Sequence, residues 1–297
     1  MVREPGRVGV TTARDIAELV RLPAALSVPG DALAGAAVTG TLGWRTAGLA
    51  ASSVCLYWAG MALNDYADRE LDAVERPERP IPSGRVSPTA ALRVAGGLTA
   101  AGIGLAAVGG RRAVAVALPL AATVWTYDML AKPTPLGPVV MAAARSLDVL
   151  LGGSAAPRRA VPAALALGAH TAAVTVLSRG EVHGSSPAVA RAALATTTAV
   201  AAAVAGTGLR RGRTGALGRL ASATLAGTYA LTVGRAQAAA AASPDAVTVR
   251  RATGTGIRGM VPLQAALVAG GGAVATAVGL MAAGPALRAA AKGISPT

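Results

Sequence analysis

Apolar segments of about 20 residues recur along almost the whole chain, and this repeat constrains the fold more than any other feature. A helix of that length crosses the ~30 Å hydrocarbon core of a bilayer. Of the residues, 53% are hydrophobic and only 14% are charged, whereas about 25% of a soluble domain is charged. The sequence therefore predicts an all-α, polytopic membrane protein.

Nine of these segments are predicted to be transmembrane helices. They cover residues 16–40, 46–66, 89–109, 112–130, 136–156, 160–178, 188–206, 214–241 and 257–284. The first is irregular because it contains Arg21, Pro23, Pro29 and Asp31. No stretch is typical of a soluble domain, so residues 1–297 are expected to form a single transmembrane domain.

The chain is basic, with 28 Lys and Arg residues against 14 Asp and Glu residues. The arginines lie singly or in pairs between apolar runs, which is typical of loop anchors in a membrane protein. We therefore expect the lipid bilayer as partner, and no nucleic acid. Cys55 is the single cysteine, which excludes an intrachain disulfide and a cysteine-based metal site.

The longer polar connections are predicted to share one face of the membrane. With the N-terminus inside, nine spans place four loops on the cytoplasmic side of the cell's inner membrane, at 64–88, 131–135, 178–187 and 234–256. Arginine pairs on the opposite side, such as Arg158 and Arg159, weaken the charge argument for this orientation.

Acidic residues are concentrated at the end of the second apolar segment, where six of the 14 lie between positions 64 and 79. Asn64, Asp68 and Asp72 recur every four residues and share one helix face, and Asp65 joins it through a three-residue step. Mg²⁺ prefers oxygen ligands and is often held by one or two carboxylates together with substrate phosphates. The pattern favours a metal–diphosphate site over a bare metal.

A second interpretation of the same acids is a solvated loop. In that case the carboxylates pair with nearby arginines, namely Arg69, Arg76, Arg79 and Arg85. Acids at the end of a membrane helix are functional candidates by default, and the helical spacing of this group favours the metal site.

The motif Asn64-x-x-x-Asp68-x-x-x-Asp72, followed by Arg79-Pro80-x-Pro82-x-Gly84, resembles the first Asp-rich motif of the UbiA-type intramembrane prenyltransferases. The resemblance implies nine transmembrane helices around a central cavity that opens toward the lipid. It also implies transfer of an isoprenyl group from a prenyl diphosphate to a small, often aromatic, acceptor. In that interpretation Asn64, Asp68 and Asp72 hold Mg²⁺ on the diphosphate.

Members of this family usually carry a second Asp-rich motif after the sixth helix, where this chain has Leu177-Ser178-Arg179-Gly180-Glu181-Val182-His183-Gly184. Glu181 is the one carboxylate in this segment. Either Glu181 binds a second metal with His183 assisting, or the second metal is lost and Glu181 pairs with Arg179. His170, inside the sixth segment, is predicted to pack against or bond to a neighbouring helix.

Tyr127 and Lys132, at the end of the fourth segment, are similar to the family's Tyr…Lys pair on the diphosphate side. Lys132 can act as a point charge on a phosphate, or it can extend along the helix end to the interface. Tyr127 is otherwise an interfacial anchor.

Charged residues also lie within the apolar segments, where they must pair or face a cavity. Arg145 and Asp148 share a helix face in the fifth segment. Either they pair with each other, or Arg145 contributes to substrate binding. Arg21 either reaches the diphosphate or pairs with Asp31.

Three other functions compete with prenyl transfer. A CDP-alcohol phosphatidyltransferase requires an opening Asp-Gly-x-x-Ala-Arg motif, which is absent. A transporter would show inverted repeats, but Pro23 and Pro29 in the first segment have no counterpart in another half. A non-catalytic or terpene-cyclising relative that binds a polyprenyl lipid agrees better with the missing second motif.

Overall fold

The computed structural model describes residues 11–21, 28–210 and 214–283, which form helices joined by turns. In chain order the helices are α1 (Ala13–Leu19), α2 (Pro29–Thr39), α3 (Trp44–Ala67), α4 (Arg69–Glu75), α5 (Pro88–Ala106), α6 (Arg111–Thr126), α7 (Gly137–Gly152), α8 (Pro157–Ser178), α9 (Pro187–Arg210), α10 (Ala216–Ala242), α11 (Ala246–Gly270) and α12 (Val274–Ala283). The predicted all-α class is confirmed for these ranges.

Five of the described helices are long and apolar enough to cross a bilayer by their own composition. They span Trp44–Ala67, Pro88–Gly109, Arg111–Ala131, Pro157–Ser178 and Pro187–Gly206. Most described residues of the other predicted segments are also helical, but their helices are shorter or more polar.

Two of the predicted boundaries differ from the structure. The first segment is divided into α1 and α2, while Pro23 lies outside the described residues. The loop predicted at 234–256 is wrong, because α10 continues to Ala242 and α11 begins at Ala246. Asp245 caps α11 by accepting from the backbone N–H groups of Val247 and Thr248 at 3.0 Å. That cap satisfies two of the free donors of the first turn.

Small residues allow α2 and α7 to cross at backbone contact. A Cβ atom added at Gly152 would collide with the backbone of Ala32, and one added at Gly35 would collide with the carbonyl oxygen of Val149. Glycine and alanine interfaces of this kind are typical of packed membrane helices. The crossing lies near the C-terminal end of α7 and lets Asp31, in the first turn of α2, reach Arg145.

The two largest of the four core clusters among the described residues lie mainly on α3, α5 and α6, and on α2, α7 and the later helices, the second being the larger. In the larger cluster the Nδ1 atom of His170 lies 2.8 Å from the Tyr229 hydroxyl, and its Nε2 atom lies 3.1 Å from the Gly256 carbonyl oxygen. Because a carbonyl only accepts, Nε2 donates and Nδ1 accepts from Tyr229. The predicted bonding of His170 to neighbouring helices is confirmed.

Several polar connections meet at the same end of the helices. Lys132, after α6, contacts Asp68, and Arg179, after α8, donates to the carbonyl oxygen of Thr134. The backbone N–H of Ser185 donates to Pro244, between α10 and α11, at 2.8 Å. The prediction that these connections share one face of the molecule is therefore confirmed, and their position relative to the cytoplasm stays a prediction.

Candidate active site

The junction between α3 and α4 brings the acidic motif together. The backbone N–H of Asp68 donates to the carbonyl of Asn64 at 2.9 Å, and the N–H of Asp72 donates to that of Asp68 at 2.8 Å. The i→i+4 bonding thus continues through the boundary between the two helices. As the spacing predicts, Asn64, Asp68 and Asp72 follow one another at single-turn intervals.

Each acid of the motif is paired with a cation. Lys132 contacts Asp68 and Arg79 contacts Asp72, while Arg21 lies 2.9 Å from an oxygen of Asp65. Arg79 also lies 3.5 Å from Asp65. Cationic and anionic side chains therefore alternate in one cluster.

The alternative of a solvated loop is only partly correct. Arg76 and Arg79 do pair with Asp72, but Asp65 and Asp72 are 3% and 1% exposed. One oxygen of Asp72 is buried without a hydrogen-bond partner, although Arg76 lies 3.6 Å from it. Buried carboxylates of this kind are expensive, which is unlike a solvated surface.

Arg21 reaches the cluster from the segment that follows α1. Its guanidinium donates to Asp65 at 2.9 Å and to the side-chain oxygen of Asn64 at 3.4 Å. Its backbone has φ 48°, a conformation that is uncommon outside glycine. The proposed pairing of Arg21 with Asp31 is wrong, because the α2–α7 crossing carries Asp31 to a different partner.

A π-helical turn at Tyr127–Ala131 ends α6 and positions Lys132. The backbone N–H of Lys132 donates to the carbonyl of Tyr127 at 2.9 Å, an i→i+5 bond. Such turns frequently occur at functional sites. This one places half-buried Tyr127, buried Asp128 and Lys132 beside the acidic motif.

A cavity of about 210 Å³ extends from the acidic cluster into the helices. At one end it is lined by Arg21, Asn64 and Asp128, and Asn64 donates to Asp128 at 3.3 Å. Apolar side chains line its middle, among them Leu56, Met61, Leu120, Val124 and Met141. The cavity therefore has a polar mouth and an apolar wall.

The opposite end of the cavity is polar again. It is lined by Ser53, Tyr57, Arg145 and Asp148. Arg145 lies 2.5 Å from Asp31, which corrects the interpretation that it pairs with Asp148. Asp148 instead accepts a hydrogen bond from the Ser53 hydroxyl at 2.6 Å.

At the position of the second Asp-rich motif, residues 177–184 contain one carboxylate, that of Glu181. Arg179 donates to the carbonyl of Thr134, so it is held by the α6–α7 connection and not by Glu181, as the alternative proposed. Glu181 is half-buried, and its backbone carbonyl accepts from Arg250 at 3.0 Å. His183 is exposed. A metal-binding role for Glu181 stays a prediction.

The sequence pattern did not predict three polar residues in and around the cavity, namely Asp128, Ser53 and Gln264. Asp128 lies next to Tyr127 at the end of an apolar segment, and an acid at that place is itself a signal. Ser53 and Gln264 gave no signal, because single neutral polar residues are common in packed membrane helices.

The donor chemistry of the cluster fits Mg²⁺ bound together with phosphate. Asn64, Asp68 and Asp72 supply oxygen ligands, and the adjacent cations suit a diphosphate. Among the described residues, no three His, Cys, Asp or Glu side chains converge closely enough to hold a metal alone.

The family model described as the UbiA prenyltransferase family matches residues 25–244. Digeranylgeranylglyceryl phosphate synthase of Methanopyrus kandleri is 41% identical over 136 residues, which cover 46% of this chain and 49% of the relative. Chloroplastic chlorophyll synthase of Oryza sativa is 39% identical over 83 residues, which cover 26% and 22%. The chain spans about half the length of the curated relatives it matches.

Solved structures share the fold at low identity. A digeranylgeranylglyceryl phosphate synthase structure superposes with a TM-score of 0.68 at 16% identity, covering 88% of this chain and 98% of the other. A UbiA homologue from Archaeoglobus fulgidus bound to DMAPP and Mg²⁺ gives a TM-score of 0.63 at 12% identity, covering 83% and 99%. At these identities the likeness extends to the fold alone.

Proposed function

Since the chain belongs to the UbiA prenyltransferase family, we propose that it transfers an isoprenyl group from a prenyl diphosphate to a small acceptor inside the membrane. The observation that carries this proposal is the cluster of alternating acids and cations at the mouth of an apolar-walled cavity. A diphosphate needs cations around its oxygens, and a prenyl chain needs an apolar wall.

The cations are the groups that take up the charge of the leaving diphosphate. The bond between C1 and the diphosphate oxygen breaks, and its electron pair leaves with the diphosphate. Lys132, Arg79 and Arg21 stand where they can exchange their carboxylate partners for phosphate oxygens. Fixed donors of this kind stabilise charge as it develops.

The acceptor supplies the electron pair of the new bond to C1 and then loses a proton. Asp128 is the carboxylate that lines the cavity at the level of Asn64, and it is the group that we expect to take this proton. Leu120 and Val124 keep the adjacent wall dry, which protects a reactive allylic cation from hydrolysis.

Asn64, Asp68 and Asp72 are the residues that would hold Mg²⁺. When bound, the ion neutralises diphosphate charge as a Lewis acid. This assignment is supported by the oxygen chemistry of the three side chains and by the buried oxygen of Asp72 that lacks a hydrogen bond. Glu181 is the one acid of the other segment and is proposed as a contributor to the same binding.

The setting of the reaction is also a proposal. We place the whole of residues 1–297 in one transmembrane domain in the cell's inner membrane, with the acidic cluster toward the cytoplasm. The shared end of the connections supports a single face for the cluster.

The test measures diphosphate release from DMAPP and from GPP by the purified chain in detergent, with and without Mg²⁺. We expect Mg²⁺-dependent release, and a loss of about 100-fold or more in Asp68→Asn and Asp72→Asn, since removing even an indirect metal contact costs about 10–100-fold. Glu75→Gln is the matched control, because Glu75 is an exposed acid on the same short helix, and it should keep full activity.

Equal turnover of Asp68→Asn, Asp72→Asn and the wild type at limiting Mg²⁺ would contradict the assignment. A second candidate, a prenyl-lipid-binding relative without turnover, is supported by the single carboxylate Glu181 in the second segment. It predicts Mg²⁺-dependent stabilisation of the fold by GPP with no diphosphate release.

A further inference from the structure

The far end of the cavity is polar, and the chemistry proposed at the mouth does not use it. We call this end the floor. The floor consists of Ser53, Arg145 and Asp148, with Asp31 and Gln264 packed behind it. Asp31 is fully buried and Asp148 is 6% exposed. Charged groups at such depth in a membrane protein typically mark a ligand pathway or a binding site.

The floor holds more acidic than basic side chains. Two carboxylates, Asp31 and Asp148, stand against one guanidinium, that of Arg145. Arg145 is 2.5 Å from Asp31, which also accepts from the Gln264 amide at 2.7 Å. Asp31 is thus well supplied with donors, whereas the side-chain donor to Asp148 is the hydroxyl of Ser53.

Asp148 has acceptor capacity that its protein partner does not use up. The Ser53 hydroxyl oxygen lies 2.6 Å from both carboxylate oxygens, but a hydroxyl carries only one proton. A carboxylate has about four lone-pair sites. Asp148 also lines the cavity, so a ligand in the cavity can supply the missing donor.

The depth of the cavity limits what that ligand is. Asn64 at the mouth and Ser53 at the floor are both on α3, and about 16 Å of helix separates them. A reacting nucleophile must come within ~3 Å of C1, which lies close to the diphosphate. The acceptor must therefore fit between C1 and the floor, within that length, which a single ring with a polar substituent can do.

We propose that Ser53, Arg145 and Asp148 form the acceptor subsite, and that this subsite takes a small acceptor whose far end carries a hydroxyl or amino group. The proposal rests on the proposed prenyl transfer and names its acceptor class. The hydrocarbon tail of the prenyl diphosphate has no group that can donate a hydrogen bond to Asp148. The tail therefore does not end at the floor. A carboxylate at the acceptor's far end has no proton to donate to Asp148 and is excluded.

The experiment compares four phenols that differ only in the para substituent, namely hydroxymethyl, aminomethyl, methyl and carboxylate. Transfer from DMAPP with Mg²⁺ is measured with the full chain in detergent. We expect the hydroxymethyl and aminomethyl phenols to have the lowest KM. In Asp148→Asn the KM of these two should rise about tenfold, the scale of a lost charge-assisted hydrogen bond, while the KM for DMAPP stays unchanged.

Two serines on α3 provide a matched control. Ser53→Ala removes the donor to Asp148, whereas Ser52→Ala removes an equally buried hydroxyl that donates to the carbonyl of Gly102 at 2.6 Å. A purely structural role would lower the thermal stability in both variants and leave acceptor preference alone. We expect only Ser53→Ala to change the KM of the hydroxymethyl phenol.

Stabilisation against thermal unfolding by each phenol, without DMAPP, gives a readout that needs no turnover. Stabilisation of the wild type but not of Asp148→Asn by the hydroxymethyl phenol would support the acceptor subsite, whether or not diphosphate is released. If no diphosphate is released in that case, only the prenyl-transfer proposal fails. If transfer occurs while Asp148→Asn and Ser53→Ala keep the wild-type ranking of the four phenols, the subsite proposal is overturned. An equal response to all four phenols overturns it as well.

Discussion

Single residues of the acidic cluster differ in how easily a ligand can reach them. Asp65 and Asp72 are almost completely buried, whereas the side chain of Asp68 is 22% exposed and that of its partner Lys132 is 31% exposed. A diphosphate entering at the mouth therefore meets the Asp68–Lys132 pair first. Opening this half-buried pair costs less than opening one of the buried pairs, because water partly screens its charges.

Glu181 and His183 provide the residue-scale prediction for the second segment. We expect Glu181→Gln, which removes only the charge, to weaken GPP binding in the presence of Mg²⁺ by roughly tenfold. His183→Ala should have little effect, because His183 is exposed and imidazole is a softer ligand than Mg²⁺ prefers. Titration of GPP against both variants measures this, and negligible effects from both would mean that the segment binds no metal.

Short elements hold the site as much as the long helices do. α1 has only seven residues, too few to span a membrane, yet it leads directly to Arg21. Arg85, in the connection after α4, donates to Asp15 at 2.8 Å and to Glu18 at 2.7 and 2.9 Å. This ion-pair cluster fixes α1 against the connection that carries the motif's Arg79.

Low pH should detach α1 from the connection that follows α4. Hydrogen bonds from Thr12, and then the Arg85 guanidinium, lower the pKa of Asp15 from 3.8 to about 2, and Arg85 lowers the pKa of Glu18. Because these pKa values are depressed in the folded state, their stabilising contribution is complete above about pH 4.5 and is lost as the pH falls toward 2. Amide hydrogen exchange of residues 11–21, corrected for its intrinsic pH dependence, should show the loss of protection over this range.

The variant Arg85→Ala should reproduce that loss at neutral pH. Arg93→Ala, at an exposed arginine of the next helix, is the control and should leave the exchange of residues 11–21 unchanged. Protection of α1 that is independent of both pH and Arg85 would show that apolar packing of Leu19, which is fully buried, holds the helix by itself.

The crossing of α2 and α7 gives a second prediction at the element scale. Gly152→Ala places a Cβ against the backbone of Ala32. A backbone segment cannot move aside in the way that the end of a flexible side chain can. We expect a loss of about 1–3 kcal/mol of stability from overpacking, measured by thermal unfolding in detergent. Gly104→Ala on α5, where an added Cβ meets nothing within 4 Å, should be neutral or slightly stabilising.

The whole molecule has one polar end that carries the acidic cluster. We expect cysteines introduced at Glu75 and His183, in a background of Cys55→Ser, to react with a membrane-impermeant thiol reagent from the same side of a sealed vesicle. Both positions are exposed, so accessibility is not limiting. Labelling from opposite sides would contradict the shared face.

The site could be predicted where it depends on neighbours along the chain, and not where it depends on neighbours in space. The repeat Asn64, Asp68, Asp72 is local, and the helix preserves it. The partner of Arg145 is decided by which helix crosses α7, and the glycines that bring α2 there are common in any membrane helix. The loop predicted at 234–256 was too long because the polar Thr and Arg residues at 248–255 lower the hydropathy at the start of α11.

The π-helical turn at Tyr127–Ala131 makes the site sensitive to the length of the chain and not only to its composition. A π turn contains one residue more than the α-helix around it, and each residue of an α-helix advances the chain by about 100°. Deleting one residue of this turn would restore a regular helix. It would also rotate Lys132 about the axis of α6, so that its side chain no longer faces Asp68. Homologous chains of different length at this point would therefore present a different side chain to the diphosphate, even where every residue type is retained.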